Sequence, residues 1–426
     1  MRIVMLAAGT YGDVPPCVAL GLGLQQAGHH VCIASYAEFE DVVTSRGLEF
    51  AVLRGNPQEQ QQQEETKAMM ASVGNIYSYM RHAMHLHLSY MHELLVDSWL
   101  ACQGADAIIF AVNTLGGYHI AEKLGIPCFT FWYHPLNATT AFPHPLISAR
   151  LRLGGALNRL SYTGIEQFVW QYMRPMLNRW RQETLRLPPL SFTGGAPEPI
   201  TGPRGRRLPF LYGYSPLVAP SPRDWQPWQR VTGFWFLDRT SDWQPPADLV
   251  AFLSGGPPPV CVGFGSMIGD NPAEMTEMVL KALRLAGRRA VLVSGWGGLT
   301  NADVSDDVFK IERVPYDWLF PQTAAVVHHA GVGTLALGLR AGIPTVTVPF
   351  TRDELYWGWQ VAGMRVGPAP ILRTQLTAER LATAIRCATS DAGMRERVAT
   401  LGRRIQAEDG VARAVETFHQ YLSYHP

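Results

Sequence analysis

His328-His329-Ala330-Gly331-Val332-Gly333-Thr334 stands between an apolar run, Ala324 to Val327, and a helix-forming segment, Leu335 to Ala341. The pattern reads as a strand, a glycine-rich turn and a helix start. Such a turn exposes backbone N–H groups at the positive end of a helix, where phosphate binds. It also places His329 at the strand exit. Gly342-Ile343-Pro344 then stops the helix, and Thr345 to Val348 reads as another buried strand. Pro349-Phe350 leads on to Asp353 and Glu354. A phosphate seat followed one strand later by two carboxylates is the order expected of a nucleotide-sugar site.

A second glycine turn lies upstream, Gly263-Phe264-Gly265-Ser266-Met267, directly after the apolar strand Val260 to Phe264. Ser266 is placed to donate its hydroxyl to a phosphate. Either turn alone is compatible with an ordinary strand-to-helix connection. Together, at the carboxyl ends of two strands of one sheet, they point to one crevice. No Gly-Lys pair occurs, which excludes a P-loop, and no Asp-x-Asp metal-diphosphate clamp is present. Diphosphate charge would then be met by His329, N–H groups and a helix dipole, each helix-end effect worth about 0.3–2 kcal/mol.

Working outward, 426 residues are too many for one ordinary core and suggest two domains. The amino terminus repeats the same architecture. Arg2 to Ala8 is a strand, Gly9 to Pro16 a turn, Cys17 to Ala27 a helix stopped by Gly28, and Val31 to Ala34 the next strand. Further strands are expected at Glu49 to Leu53, Ala107 to Ala111 and Pro127 to Phe131. The alternation predicts an α/β protein of two Rossmann-like domains facing across a central cleft. The expected boundaries are an acceptor-binding domain at 1–215, a linker at 216–245 and a nucleotide-sugar domain at 246–400. A C-terminal helix at 401–426 is expected to pack across the domains. The glutamine patch Gln58 to Gln63 reads as a solvated loop.

Composition narrows the function classes. A hydrophobic content of 47% with 17% charged residues is globular, and a net charge of +1 argues against nucleic acid as a partner. The six cysteines are scattered without a Cys-x-x-Cys pair, which suggests a reducing, cytoplasmic setting. The uncharged stretch Leu124 to Ala149 is long enough to span a bilayer, but its four prolines forbid one continuous helix. Between Ser148 and Phe210 there are ten arginines and three glutamates, a local excess of +7. That excess reads either as a solvated face or as an attraction to an anionic membrane surface or acidic lipid, hence a peripheral membrane contact.

Asp13 follows the first strand and has two readings, an N-cap ahead of Pro15 and Pro16 or a general base for an acceptor hydroxyl. Asp353 and Glu354 read either as a cap or salt bridge beside Arg352, or as hydrogen-bond acceptors for sugar hydroxyls. Phe131-Trp132-Tyr133-His134 and a Met-rich helix carrying Met80 and Met84 are candidates for an apolar acceptor wall, with plain core packing as the other reading. His82, His85 and His92 would share a helix face, but the surrounding methionines and tyrosines favour an apolar surface over a metal site.

These residues resemble an inverting family-one glycosyltransferase of the GT-B fold, in the branch of the sterol and antibiotic glycosyltransferases. Gly9-Thr10-Tyr11-Gly12-Asp13-Val14 is similar to that branch's amino-terminal G-[ST]-x-G-D-V, whose aspartate is the base. The resemblance implies that Asp13 is catalytic, with Thr10 and Gly12 near the donor. It also implies that Gly263 to Ser266 contacts phosphate and that Arg313 and Val314 flank the nucleobase. His329, Gly331, Gly333 and Thr334 would hold the diphosphate, and Asp353 and Glu354 would read the sugar. Tyr316 stands where the family has histidine, and Glu354 where it has glutamine, which removes an amide donor.

The implied activity is transfer of a sugar, by default glucose, from a UDP- or dTDP-sugar to a hydroxyl of an apolar acceptor. That acceptor would be a sterol, terpenoid, polyketide or lipid, and neither metal nor cofactor is required. Rival readings are a rhamnosyl or other deoxysugar transferase, a nucleotide-sugar epimerase, and a silent nucleotide-binding homologue.

Overall fold

The computed structural model describes residues 1–147, 151, 153–193, 201–202, 206–240, 242–265, 271–295 and 305–424. The chain forms two compact units. The first comprises Met1–Gln60, Gly74–Leu237 and Asp409–Pro426, and the second comprises Gln61–Val73 and Asp238–Glu408.

The first unit contains β1 (Arg2–Leu6), β2 (His30–Tyr36), β3 (Glu49–Leu53), β4 (Ala107–Ala111), β5 (Cys128–Trp132), β6 (Thr201–Gly202), β7 (Arg206–Arg207), β8 (Phe210–Tyr212) and β9 (Gln229–Val231). β6 and β7 make a small antiparallel pair. The others form a parallel sheet ordered β3-β2-β1-β4-β5-β8-β9, with Val4 opposite Cys32 on one side and Ile108 on the other. Ile3 to Leu6 and Ala107 to Ala111 are continuous apolar runs because both faces of a parallel sheet are covered. Strand order reverses between β1 and β4, so the Gly9 to Asp13 turn leaves the sheet at its switch point.

The second unit contains β10 (Val260–Gly263), β11 (Ala290–Val293), β12 (Val308–Ile311), β13 (Ala325–His328) and β14 (Thr345–Thr347), in the parallel order β12-β11-β10-β13-β14. Its side chains alternate between two cores. Val260, Val262, Ala290, Leu292, Ala325 and Val327 face one cluster, while Cys261, Val291, Val293 and Val326 face the other. Here the reversal falls between β10 and β13, whose exits carry the two glycine turns.

The α/β reading and the two Rossmann-like domains agree with this topology. The boundaries differ from expectation. The segment 216–245 is not all linker, because Gln229–Val231 pairs with β8 as an edge strand and the division falls between Leu237 and Asp238. Its density of proline and tryptophan hid a three-residue strand held by side chains: Trp225 stacks on Tyr212 with ring centroids 4.7 Å apart. The C-terminal helix is also two pieces. Ala392–Gln406 packs in the second unit on the helix Val332–Ala341, and Gly410–Tyr424 packs in the first on Val14–Gln26. Gly23 permits that second contact, since any Cβ there would run into Val411. Pro57–Gln62 is a helix rather than a loop, and Met70 enters the core of the second unit.

Candidate functional site

The two glycine turns of the second unit are built mainly from backbone. The helix Val332–Ala341 starts at Gly331, so the N–H groups of Val332, Gly333 and Thr334 have no intrahelical acceptor. The turn before it is forced into shape: buried Ala330 has φ of 73°, a left-handed conformation that costs an L residue about 1–2 kcal/mol. Ala330 N–H donates to His328 Nδ1 at 3.0 Å. His328 is fully buried, and burial holds its pKa well below the ordinary imidazole value.

His329 lies between the two turns. Gly265 has φ of 60°, and a Cβ there would sit 2.9 Å from His329 Cε1; a Cβ on Gly331 would strike the same ring. Gly295, at the exit of β11 with φ of 55°, approaches the Gly265 carbonyl just as closely. The exits of β10 and β13 therefore meet at one imidazole, and the exit of β11 abuts the Gly265 backbone. His329 is 9% exposed and its buried Nδ1 has no hydrogen-bond partner. Burial lowers its pKa to about 4 against a smaller opposing effect of Asp353, so the ring is neutral at pH 7. An arriving diphosphate would favour the cation. Ser266 lies outside the described residues.

The remaining donor-side candidates divide. Asp353 is half-buried and near enough to His329 to raise its pKa. Glu354 differs from the sugar-reading expectation: it is 5% exposed, and its Oε2 accepts from the backbone N–H of Phe350 at 2.6 Å and Thr351 at 3.0 Å. It caps the helix Arg352–Gly363. Burial and Asp353 raise its pKa well above the carboxylate range, against the pull of those N–H groups. Val314 is in the core with Leu319 and Phe320, whereas Arg313 is exposed. Tyr316 stacks on Phe320 at 4.4 Å, and its hydroxyl lies 3.2 Å from where a Gly263 Cβ would be.

In the first unit, Asp13 occupies the N-cap position of Val14–Gln26 but makes no side-chain cap. The reason is chemical. A capping carboxylate accepts from the N–H of the second or third helical residue. Those residues are Pro15 and Pro16, which have none. The carboxylate instead turns back, with Oδ2 accepting from Thr10 N at 2.8 Å and Thr10 Oγ1 at 3.3 Å. Gly12 N–H donates to Thr10 Oγ1 at 3.3 Å. Gly9 must lack a side chain, because a Cβ would overlap the Asp13 carboxylate. Asn113, just past β4 across the switch point, donates from Nδ2 to the Ala8 carbonyl. Sequence reasoning missed Asn113, although a polar residue at a strand exit beside the switch point is a readable signal.

The acceptor-wall candidates separate by burial. Phe131 is 0% exposed and packs on Tyr133 and Trp235 at 5.7 and 5.6 Å, so it is core rather than wall. Tyr133 is 3% exposed, and its hydroxyl donates to the backbone carbonyl of Asp13 at 2.6 Å. His134 is buried and accepts from Trp132 Nε1 at 3.0 Å, with its pKa lowered to about 3 by burial. Trp132 and Met84 keep partial exposure, while Met80 is buried in the helix Ile76–Ala101. On that helix His87 bonds Tyr90 at 2.9 Å, and among the described residues no three His, Cys, Asp or Glu side chains cluster as metal ligands would.

Comparison with known proteins fits this geometry. Residues 3–143 match the Glycosyltransferase family 28 N-terminal domain, and residues 297–416 match the Erythromycin biosynthesis protein CIII-like, C-terminal domain. The chain is 38% identical over 428 residues to Sterol 3-beta-glucosyltransferase UGT80A2 of Arabidopsis thaliana, covering 99% of this chain and 66% of that protein. It is 35% identical over 439 residues to a Sterol 3-beta-glucosyltransferase of Aspergillus terreus, covering 100% of this chain. The chain thus spans 66% of the length of the plant relative and 30% of the fungal one. Among solved structures, the glycotransferase of kitacinnamycin aligns with a TM-score of 0.70 at 18% identity, covering 98% of each chain. CalG4, the calicheamicin glycosyltransferase, aligns at 0.65 and 17% identity over 100% of this chain and 99% of its own. These structures share the fold.

Proposed function

We propose that this chain, which belongs to the GT-B family-one glycosyltransferases, moves a sugar from a nucleotide-diphosphate donor to the hydroxyl of an apolar, sterol-like acceptor. The observation that carries the reading is the cradle at the β10/β13 reversal, where two glycine turns close on the ring of His329, whose buried Nδ1 has no partner, beside the start of the helix Val332–Ala341. Similarity along the whole of this chain to proteins named as sterol 3-beta-glucosyltransferases supports glucose as the sugar and a sterol-like alcohol as the acceptor.

In the proposed reaction Asp13 takes the acceptor proton as the acceptor oxygen attacks the anomeric carbon. The bond from that carbon to the diphosphate oxygen breaks, and configuration inverts. The diphosphate leaves into the cradle, where N–H groups and His329 stabilise the charge that develops. Asp13 suits the role because its two proline neighbours remove the competing use of its carboxylate. A base so placed contributes roughly 10²–10⁴-fold in rate. The cradle meets diphosphate charge without a metal or cofactor in this scheme. Asp353 is the remaining candidate to read the sugar hydroxyls, since Glu354 is engaged in its cap.

No helix among the described residues is long and apolar enough to cross a membrane. A peripheral contact is part of the proposal, because sterol-like acceptors partition into lipid. Leu157 and Leu160 are exposed on the helix Gly155–Trp180, opposite its buried Asn158, Tyr162 and Ile165, with Leu151 and Arg159 also exposed. Apolar side chains beside a basic excess suit an anionic lipid surface.

The test is mass spectrometry of the purified protein with UDP- and dTDP-sugars and a panel of sterols and other apolar alcohols. The expected result is an acceptor heavier by one hexose, lost in Asp13→Asn. A product at undiminished rate in that variant removes Asp13 from the mechanism. Epimerised donor without acceptor product would establish the epimerase reading instead.

A further inference from the structure

The geometry points to Tyr133 as a positioning residue: its hydroxyl, donated to the Asp13 main-chain carbonyl, fixes where the Asp13 carboxylate stands. The inference rests on Asp13 being the base, and it assigns Tyr133 to the catalytic turn rather than to an acceptor wall.

The turn needs such a brace. A helix entrance is ordinarily tied down by a side-chain cap and by its first intrahelical hydrogen bonds. Pro15 and Pro16 remove the side-chain cap, because neither has an N–H to give the Asp13 carboxylate. The hydrogen bonds of the turn itself are local: Asp13 N–H and Val14 N–H donate to the Thr10 carbonyl at 2.9 and 3.2 Å, and Thr10 donates to the carboxylate. All of these lie within residues 10 to 14 and move with the turn. Tyr133 comes from elsewhere. It follows β5, two strands away from β1, and reaches across to Asp13 at 2.6 Å.

The brace is itself rigid. The Tyr133 ring is buried against Phe131 and against Trp235, whose centroid is 6.1 Å away. Trp235 is held in turn by a 2.9 Å bond from its Nε1 to Thr232 Oγ1. Gly213 leaves room for both rings, since a Cβ there would be 3.1 Å from each. Burial raises the phenol's pKa well above 10, so the hydroxyl stays a donor at every working pH.

Tyr133→Phe removes one oxygen and keeps the ring. With UDP-glucose and a sterol, the expected result is a kcat lowered roughly 10–100-fold, the scale of a misplaced catalytic group. Donor KM should stay within about twofold, with a cooperative thermal transition retained. Gly213→Ala, which displaces the ring but leaves the hydroxyl, should reproduce the kcat-specific loss; it also serves if Tyr133→Phe does not fold. In an Asp13→Asn background, single-turnover measurements should show that Tyr133→Phe costs less than about twofold more, because a residue acting through Asp13 has nothing left to position. Wild-type kcat in Tyr133→Phe, or an equal loss in both backgrounds, overturns this inference while leaving Asp13 as base. Undiminished turnover by Asp13→Asn overturns the base assignment itself, and this inference with it.

Discussion

Gly265→Ala tests the donor cradle at its tightest point. Two penalties follow from the coordinates. At φ of 60° an L residue costs about 1–2 kcal/mol relative to glycine. The added Cβ would also lie 2.9 Å from His329 Cε1, where non-bonded carbons settle at about 3.5–4.0 Å. The imidazole must therefore yield by roughly 0.6–1 Å. For a unit of this size the backbone penalty alone lowers the melting temperature by roughly 2–8 °C. The ring displacement should raise the Kd for UDP at least about tenfold and lower kcat/KM by roughly 10–100-fold. Thermal melting and titration calorimetry with UDP separate the two effects. In a His329→Ala background the affinity loss should largely vanish while the backbone cost persists. A Gly265→Ala protein that melts lower yet binds UDP with wild-type affinity would refute the placement of His329 in the cradle.

Acidity gives a second test. His329 has its pKa lowered from 6.5 to about 4 in the folded protein, so the folded state resists protonation. Its contribution to stability is fully present above pH 6.5 and is lost as pH falls towards 4; His329→Gln should flatten part of the melting curve in that window. A bound diphosphate favours the imidazolium, so UDP binding near pH 5.5 should take up a proton, seen as a calorimetric heat that varies with buffer ionisation enthalpy. Buffer-independent heat would count against direct contact. For the lipid surface, Leu157→Glu with Leu160→Glu should reduce co-sedimentation with anionic vesicles several-fold and leave activity on a detergent-solubilised acceptor within about twofold. Equal sedimentation of both proteins would dismiss that face.

The fold was legible where one force dominated. Runs such as Val260 to Gly263 and Ala107 to Ala111 are apolar throughout because a covered parallel strand buries both faces, and glycine stops such as Gly342, with φ of 71°, closed the helices between them. The segment 216–237 was illegible for the opposite reason. Its strand is three residues long, and Trp225, Tyr212 and Trp235 hold the segment through ring contacts that leave no periodicity in the sequence. The assignment of Gln61–Val73 to the second unit was hidden likewise, since a single methionine, Met70, joins that unit's core.

The candidate site shows the same division more sharply. A phosphate cradle is made of backbone, and backbone can approach a ligand only where side chains are missing or φ is positive; the glycines at 263, 265 and 331 therefore announce it. Aspartate before two prolines was also readable in principle, because proline's missing N–H makes side-chain capping chemically impossible at that position. Residues that serve the site through packing give no such mark. Tyr133 and Phe131 are both aromatic, two apart on one buried edge, and the sequence offers no way to tell that the Tyr133 hydroxyl is aimed at Asp13. Glu354 carries the converse lesson. A carboxylate three residues after Thr351 fits both a sugar-reading pair and a capping box, and the 3.0 Å bond from Thr351 N–H decides for the cap. In the proposed reaction sugar choice falls on Asp353, so Asp353→Asn should change donor preference more than Glu354→Gln; the reverse ranking in a donor panel would return Glu354 to the sugar.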